Sequence, residues 1–244
     1  MKLIQLNIWG GKLGRQIIDF LQAEQPDIVC MQEVNDLEGR AGYKFFATLD
    51  EIKAGSDLDN AFMSPAYASR YMERELEYGN AIASKFPISS SRTVFTNGQY
   101  KRNFDITKDD GNIRNLQVVE LDTAGTKLNL LNHHGYHIKG SKAGDDNTIK
   151  AMQTIAQTID SLHGPVILCG DFNLAPDSQS INIINQKLTN LSIANKLRST
   201  YNQFGTSDTV CDYIFVNNLV KVRSFKMSDE AVSDHKALIL DFDI

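Results

Sequence analysis

Residues 2–8, KLIQLNI, alternate apolar and polar positions, the period of a strand with one face buried. Leu13, Ile17, Phe20 and Leu21 then recur at helical spacing, and after Pro26 the run Ile28-Val29-Cys30-Met31 predicts a second strand. The same interleaving continues. Strands are predicted at AIAS (81–84), LQVVEL (116–121), KLNLLN (127–132), PVILC (165–169), DYIFV (212–216) and ALILDF (237–242), with a hairpin around Ala124-Gly125. Ile149, Met152, Ile155, Ile159 and Leu162 mark one amphipathic helix, and Ile181, Ile184, Leu188 and Leu191 another. Residues 35–78 and 97–114 are rich in Gly, Asp, Asn and charge without a clear period, so both are expected to be long loops of the kind that carry specificity. No repeat or Pro/Gly/Ser-rich tract divides the chain, and residues 1–244 are expected to form a single α/β domain.

Composition narrows the function classes. With 42% hydrophobic and 23% charged residues among 244, the chain can bury a substantial core. A net charge of -5 repels polyanions overall, so nucleic-acid binding would need a local patch or bound cations. No run approaches the roughly 20 apolar residues of a membrane span, and the chain opens on a strand pattern instead of a signal peptide. A cytoplasmic monomer without stable membrane association is therefore expected. Cys30, Cys169 and Cys211 lie in or beside apolar runs and are odd in number, which predicts buried thiols over disulfides.

Candidate chemistry collects where apolar strand runs stop. LIQLN ends at Asn7, IVCMQE at Glu33, KLNLLNHH at His134, and VILCGDFN at Asp171 and Asn173; Asp212 opens one strand and Ser233-Asp234-His235 leads into another. Singly, such residues are ordinary caps and turns. As a set they supply hard oxygen ligands and two titratable imidazoles. A three-histidine zinc site at His133, His134 and His137 is not expected, because alternation turns His133 away from His134.

LNIWGG, MQEV, GNAIASKFPI, NHH, GDFN, CDYIFV and SDH, in this order from Asn7 to His235, resemble the endonuclease/exonuclease/phosphatase superfamily, DNase I-like. The resemblance implies a four-layer sandwich of two packed mixed β-sheets flanked by helices. It also implies Mg2+-dependent hydrolysis of a phosphodiester by in-line attack of water, Mn2+ being the expected substitute. By position it makes Glu33 the principal metal ligand, with Asn7 and Asp234 beside it. Asp171 would orient and deprotonate the water, which asks for a carboxyl pKa that is raised or at least unsuppressed. Asn173 would donate to a phosphate oxygen, while His134 and His235, the latter paired with Asp212, would stabilise charge on phosphorus.

Some DNA-repair members carry an acidic residue and a tyrosine where this chain has Trp9 and His134, so it resembles the His-bearing branch. That branch includes DNase I-like nucleases, deadenylases, sphingomyelinases and tyrosyl-DNA phosphodiesterases. Asn80 and Arg114 are further candidates for substrate contact. Two base-and-aromatic sets, Tyr67, Arg70, Tyr71 and Arg74, and Tyr100, Lys101, Arg102 and Phe104, are candidates for gripping a single strand. The expected partner is a phosphate-ester substrate, nucleic acid among the candidates. The alternatives are a phosphatase or lipid phosphodiesterase of the same fold, or a non-catalytic binding descendant. Turnover is favoured because Glu33, Asp171 and His235 are all present.

Overall fold

In the computed structural model, which describes residues 1–37, 46–71, 73–123, 125–205 and 207–244, two six-stranded sheets pack face to face. One contains β1 (Lys2–Asn7), β2 (Ile28–Leu37), β3 (Asn60–Tyr71), β4 (Arg74–Ser84), β11 (Lys221–Met227) and β12 (Leu238–Asp243), in the order β11-β12-β1-β2-β4-β3. The other contains β5 (Ile88–Asn97), β6 (Arg114–Asp122), β7 (Lys127–His134), β8 (Val166–Asp171), β9 (Thr189–Asn190) and β10 (Asp212–Val216), in the order β5-β6-β7-β8-β10-β9. Both sheets are mixed, since β1–β2 and β7–β8 run parallel and the other pairs antiparallel.

Alternation sorts the side chains into layers. Ile4 and Leu6 face Ile17 and Phe20 of α1 (Gly14–Glu24) and Ile52 of α2 (Leu49–Ser56). Leu131, Leu168 and Phe215 face Ile155 of α3 (Asp146–Asp160) and Ile181 of α4 (Gln179–Asn185). Leu3, Cys30, Leu130, Ile167, Ile214 and Leu240 fill the space between the sheets. Helix, sheet, sheet and helix are the four layers that the resemblance implies. Full burial of each large aliphatic side chain stabilises the sandwich by about 1.5–3 kcal/mol.

The inter-sheet face changes character along its strands. On β1 the inward positions run Leu3, Gln5, Asn7; on β7, Leu130, Asn132, His134; on β8, Ile167, Cys169, Asp171. An apolar layer gives way to an amide layer, and that to ionisable groups. The amides bond across the interface: Gln32 Nε2 donates to Asn132 Oδ1 at 2.6 Å, and Asn132 Nδ2 donates to the Met31 and Ala81 carbonyls and to Gln117 Oε1. Gln5 Nε2 donates to Gln32 Oε1 and to Asp212 Oδ1, at 2.9 and 3.1 Å. A buried amide without partners loses about 1–3 kcal/mol, so these bonds hold the sheets in one relative register.

Several expectations are corrected. The described part of residues 35–78 is not a loop but holds the end of β2, helix α2, strand β3 and the start of β4. Residues 98–113 are irregular, as expected, apart from a bridge between Tyr67 and Lys101. The helix expected through Leu191 stops earlier: α4 ends at Asn185, β9 pairs with β10, and Asn190 caps a short α5 (Leu191–Ala194) by accepting from Ile193 N. The β6–β7 hairpin forms, with Ala124 outside the described residues. All three cysteines are buried and free. Among the described residues no helix is long and apolar enough to cross a membrane.

Candidate active site

At the end of β8 the GDFN sequence turns the chain, and each residue has a physical task. A Cβ on Gly170 (φ 148°) would lie 1.9 Å from the His133 carbonyl oxygen, so only glycine lets β7 and β8 approach this closely. Phe172 anchors the turn edge-on against His133, Tyr213 and Phe215. Asn173 adopts a left-handed φ of 55°, which Asn tolerates, and its N–H caps Asp171 Oδ1 at 2.9 Å. Asp171 Oδ2 is thereby left to face the other site residues.

Glu33 arrives by a second device. Strand β2 carries one extra residue against β4 between Met31 and Val34, and at this bulge Glu33 has φ 59°. Such a conformation costs a non-glycine residue about 1–2 kcal/mol. Regular alternation would place Glu33 with Val29 and Met31 against the helices; the bulge gives that place to Val34 and swings Glu33 to the sheet end instead. There Asn7 Nδ2 donates to Glu33 Oε1 and to Asp171 Oδ2, each at 3.1 Å, while Asn7 Oδ1 accepts the Trp9 N–H.

Both imidazoles converge on the same carboxylate. His134 Nε2 lies 3.8 Å from Asp171 Oδ2 and 4.0 Å from Glu33 Oε1. His235 Nε2 lies 3.7 Å from Asp171 Oδ2, and its Nδ1 donates to Asp212 Oδ2 at 2.8 Å. Asp212 is fully buried, held by Gln5 at its other oxygen and by Thr200 Oγ1, which accepts its backbone N–H. Ser233 ties the last loop to β1 by donating its one hydroxyl proton to the Asn7 carbonyl at 2.6 Å, with Asp234 Oδ1 3.2 Å from the same hydroxyl.

Charge divides unevenly over this cluster. Burial disfavours the His235 cation, but the Asp212 and Asp171 carboxylates outweigh it and raise the ring to about 10. His134 is held well below the usual imidazole range by burial and by the Arg114 charge, so near neutral pH it is the uncharged ring. Burial works against the Asp171 anion, yet His235, His134 where it is protonated, and Lys142 hold its carboxyl at about 2. The expected raised carboxyl is therefore not Asp171. Two others are raised: Glu33, pushed up by burial and by the charges of Asp171 and Asp234, against the pull of the Asn7 hydrogen bond and His235, and Asp212, pushed up by burial against the pull of His235.

Glu33 Oε1 and Asp171 Oδ2 face one another across a single amide, and Asp234 is close enough to shift Glu33. Negative charge gathered this way, on buried Asp171 and half-buried Glu33 and Asp234 and all on oxygen, is a donor set that fits a hard divalent cation. Ligand atoms of Asp171, Asp212 and His235 also lie within 4.8 Å of one another. Asp212 spends its oxygens on His235 and Gln5, however, so that trio is a hydrogen-bonded relay and not a ligand set.

Other expected residues are differently employed. Asn80 is buried and donates to Asn115; with Arg114 and His134 it lines a cavity of about 10 Å³, room for about one water. Arg114 clamps the loop after β7 through Nε to the Gly135 carbonyl at 2.7 Å. His133 points away from His134 and bonds the Asn115 carbonyl; burial lowers it to about 4. One base-and-aromatic set is neutralised, Lys101 by Asp109 and Arg102 by Glu75, while in the other Arg70 donates to the Glu73 carbonyl and Tyr67 is stacked between Tyr78 and Phe104. Sequence reasoning missed Gln5, Gln32 and Asn132, although their inward phase with Asn7 and His134 was a usable signal. It also missed Lys142 and Tyr201, whose ring lies 4.4 Å from that of His235, and for these the sequence carried none.

No curated protein matches the chain at a significant level. Among solved structures, the fold is shared with an endonuclease/exonuclease/phosphatase from Bacteroides vulgatus, at TM-score 0.75 and 18% identity over 100% of this chain and 98% of that one. A mannosyl-6-phosphatase from Bacteroides thetaiotaomicron matches at TM-score 0.70 and 15% identity, over 100% of both chains. D. rerio TDP2 complexed with single strand DNA product matches at TM-score 0.72 and 17% identity, over 100% of this chain and 99% of that one. The sequence profile of the Endonuclease/Exonuclease/phosphatase family matches residues 4–235, and the chain belongs to that family of phosphoester-hydrolysing enzymes.

Proposed function

We propose that residues 1–244 act as one domain that hydrolyses a phosphodiester with Mg2+, or Mn2+ in its place, by in-line attack of water. The observation that carries this reading is the convergence of Asn7, His134 and His235 on one oxygen of Asp171, beside Glu33. Glu33, Asn7 and Asp234 are the residues that would hold the cation. When bound, it supplies positive charge to the phosphoryl oxygens and lowers the pKa of water. Asp171, anionic down to about 2, orients the attacking water by accepting its proton in a hydrogen bond; a base this weak contributes more by position than by proton affinity. Asn173 donates to a phosphoryl oxygen. His235, kept as an imidazolium by Asp212, and neutral His134 donate where charge develops in the transition state.

A small or single-stranded substrate is favoured over long duplex nucleic acid, because the net charge is -5 and Lys101 and Arg102 of one candidate basic patch are spent on ion pairs. The mannosyl-6-phosphatase and the TDP2 complex among the fold neighbours make a sugar phosphate and a DNA single strand the natural test substrates. The deciding assay is turnover of bis-p-nitrophenyl phosphate, both DNA forms, sphingomyelin and sugar phosphates, in EDTA and with Mg2+ or Mn2+ restored. Activity that EDTA abolishes and the cation restores is expected. Full turnover in chelator would sink the metal mechanism, and no turnover on any substrate would favour a binding descendant.

A further inference from the structure

Lys142 lies in the loop between β7 and α3, outside every motif of the sequence. Its carbonyl accepts the Ala175 N–H at 2.8 Å, which fixes its backbone beside the GDFN turn. Its side chain is half-buried, with Nζ donating to Asn173 Oδ1 at 2.5 Å and lying 5.9 Å from the centre of the Tyr201 ring. His137 Nδ1 lies 3.2 Å from the same Asn173 oxygen.

The chemistry leaves one arrangement of the Asn173 amide. A lysine ammonium has three donors and no acceptor, so only the amide oxygen can face it. The NH2 group is forced to the opposite side, where it meets the Gly135 carbonyl at 3.4 Å, the long limit of a hydrogen bond. Because Asn173 Oδ1 only accepts, His137 must carry its proton on Nδ1 there, and it reinforces the same orientation. With the lysine removed, rotating the amide by half a turn would aim its oxygen at an anionic phosphoryl group.

We propose that Lys142 is a positioning residue that locks the Asn173 amide with its NH2 group toward the phosphoryl oxygen, a role that rests on the hydrolase reading above. Lys142→Met, Lys142→Arg, Asn173→Ala and the Lys142→Met/Asn173→Ala double variant are to be compared on one phosphodiester. Lys142→Met lowers kcat by about 10- to 100-fold with little change in KM, and Lys142→Arg restores most of it. On the Asn173→Ala background the same substitution costs no more than about 2-fold, because its target is gone. Equal losses on both backgrounds would overturn the proposal and make Lys142 an independent charge on the substrate. A readout without turnover is the 15N side-chain amide pair of Asn173, assigned by its loss in Asn173→Ala. This pair should be sharp in the wild type and exchange-broadened in Lys142→Met. Equal sharpness in both refutes the lock even in a protein that hydrolyses nothing, whereas absent wild-type turnover counts only against the hydrolase reading.

Discussion

Asp212→Asn perturbs the cluster with little change of shape, and its effect can be worked from the geometry. Asp212 Oδ2 accepts from His235 Nδ1 at 2.8 Å with both side chains buried. Asp212 and Asp171 raise the ring from 6.5 to about 10 against the burial that opposes them. At about 1.4 kcal/mol per unit, the imidazolium is favoured by about 5 kcal/mol. In Asp212→Asn the burial stays, the largest counterweight is gone and only Asp171 and Asp234 still favour the cation, so the ring should titrate at neutrality or below. Forming the cation at about pH 8 then costs at least about 1.4 kcal/mol, or roughly 10-fold or more in kcat/KM, part of what is lost with a donor at a developing oxyanion. The sign follows from the direction of the shift: a raised ring is charged below its pKa and loses its proton as pH climbs through it. Wild-type kcat/KM should therefore hold to about pH 10, while that of Asp212→Asn falls through neutrality. The assay is a pH profile of kcat/KM on the best panel substrate, joined to a cycle with His235→Asn. The double variant should be little worse than the worse single. An alkaline limb that does not move, or strictly additive losses, would refute the dyad.

Glu33→Gly relaxes a left-handed backbone and removes a half-buried carboxylate, so Tm should rise by about 2–4 °C while the Mg2+ requirement grows at least about tenfold; a lower Tm would show that the bulge is not strained. Asp171→Asn keeps the GDFN turn, and kcat should drop by at least roughly 10²-fold with the fold intact; near-wild-type kcat would make Asp171 a turn residue. Because Asp171 titrates at about 2 when folded and near 3.9 when unfolded, its contribution to stability is full above about pH 4 and fades as pH falls toward 2. Acid unfolding of Asp171→Asn should therefore be shallower, as read by circular dichroism. Asn132→Ala orphans Gln32 Nε2 and Gln117 Oε1 and takes one donor from two carbonyls, and urea unfolding should show a loss of about 2 kcal/mol or more; a loss under about 1 kcal/mol would mean that water replaces the amide.

The strands that the hydrophobic pattern missed have a common position. β3, β5, β9 and β11 are the edges of the two sheets. An edge strand meets solvent along one side and often across a face, so Ser89, Ser90, Ser91 and Arg92 of β5 and Lys221, Arg223 and Ser224 of β11 carry no alternation. The central strands bury both faces and were legible for that reason. The same logic applies to the site. Asn7, Glu33, His134, Asp171 and His235 stand out as polar stops to apolar runs. Lys142 sits in a loop whose position depends on a bond to Ala175, and no local pattern encodes that bond. The suppressed pKa of Asp171 was illegible too, since it depends on cations brought in from other elements.

The amide layer beneath the site has a consequence for how this protein can change over generations. Gln5, Gln32, Asn132 and Gln117 hand hydrogen bonds to one another and to Asp212, so replacing one leaves another orphaned. Single substitutions there should be strongly depleted in a saturation library selected for folding, and survivors should carry a compensating change at a neighbouring member. Apart from buried Phe104, the irregular segment 98–113 has no such side-chain partners in the floor among the described residues and should accept replacement more freely. Selection for a new substrate would therefore redraw the rim and leave the floor as a block inherited whole.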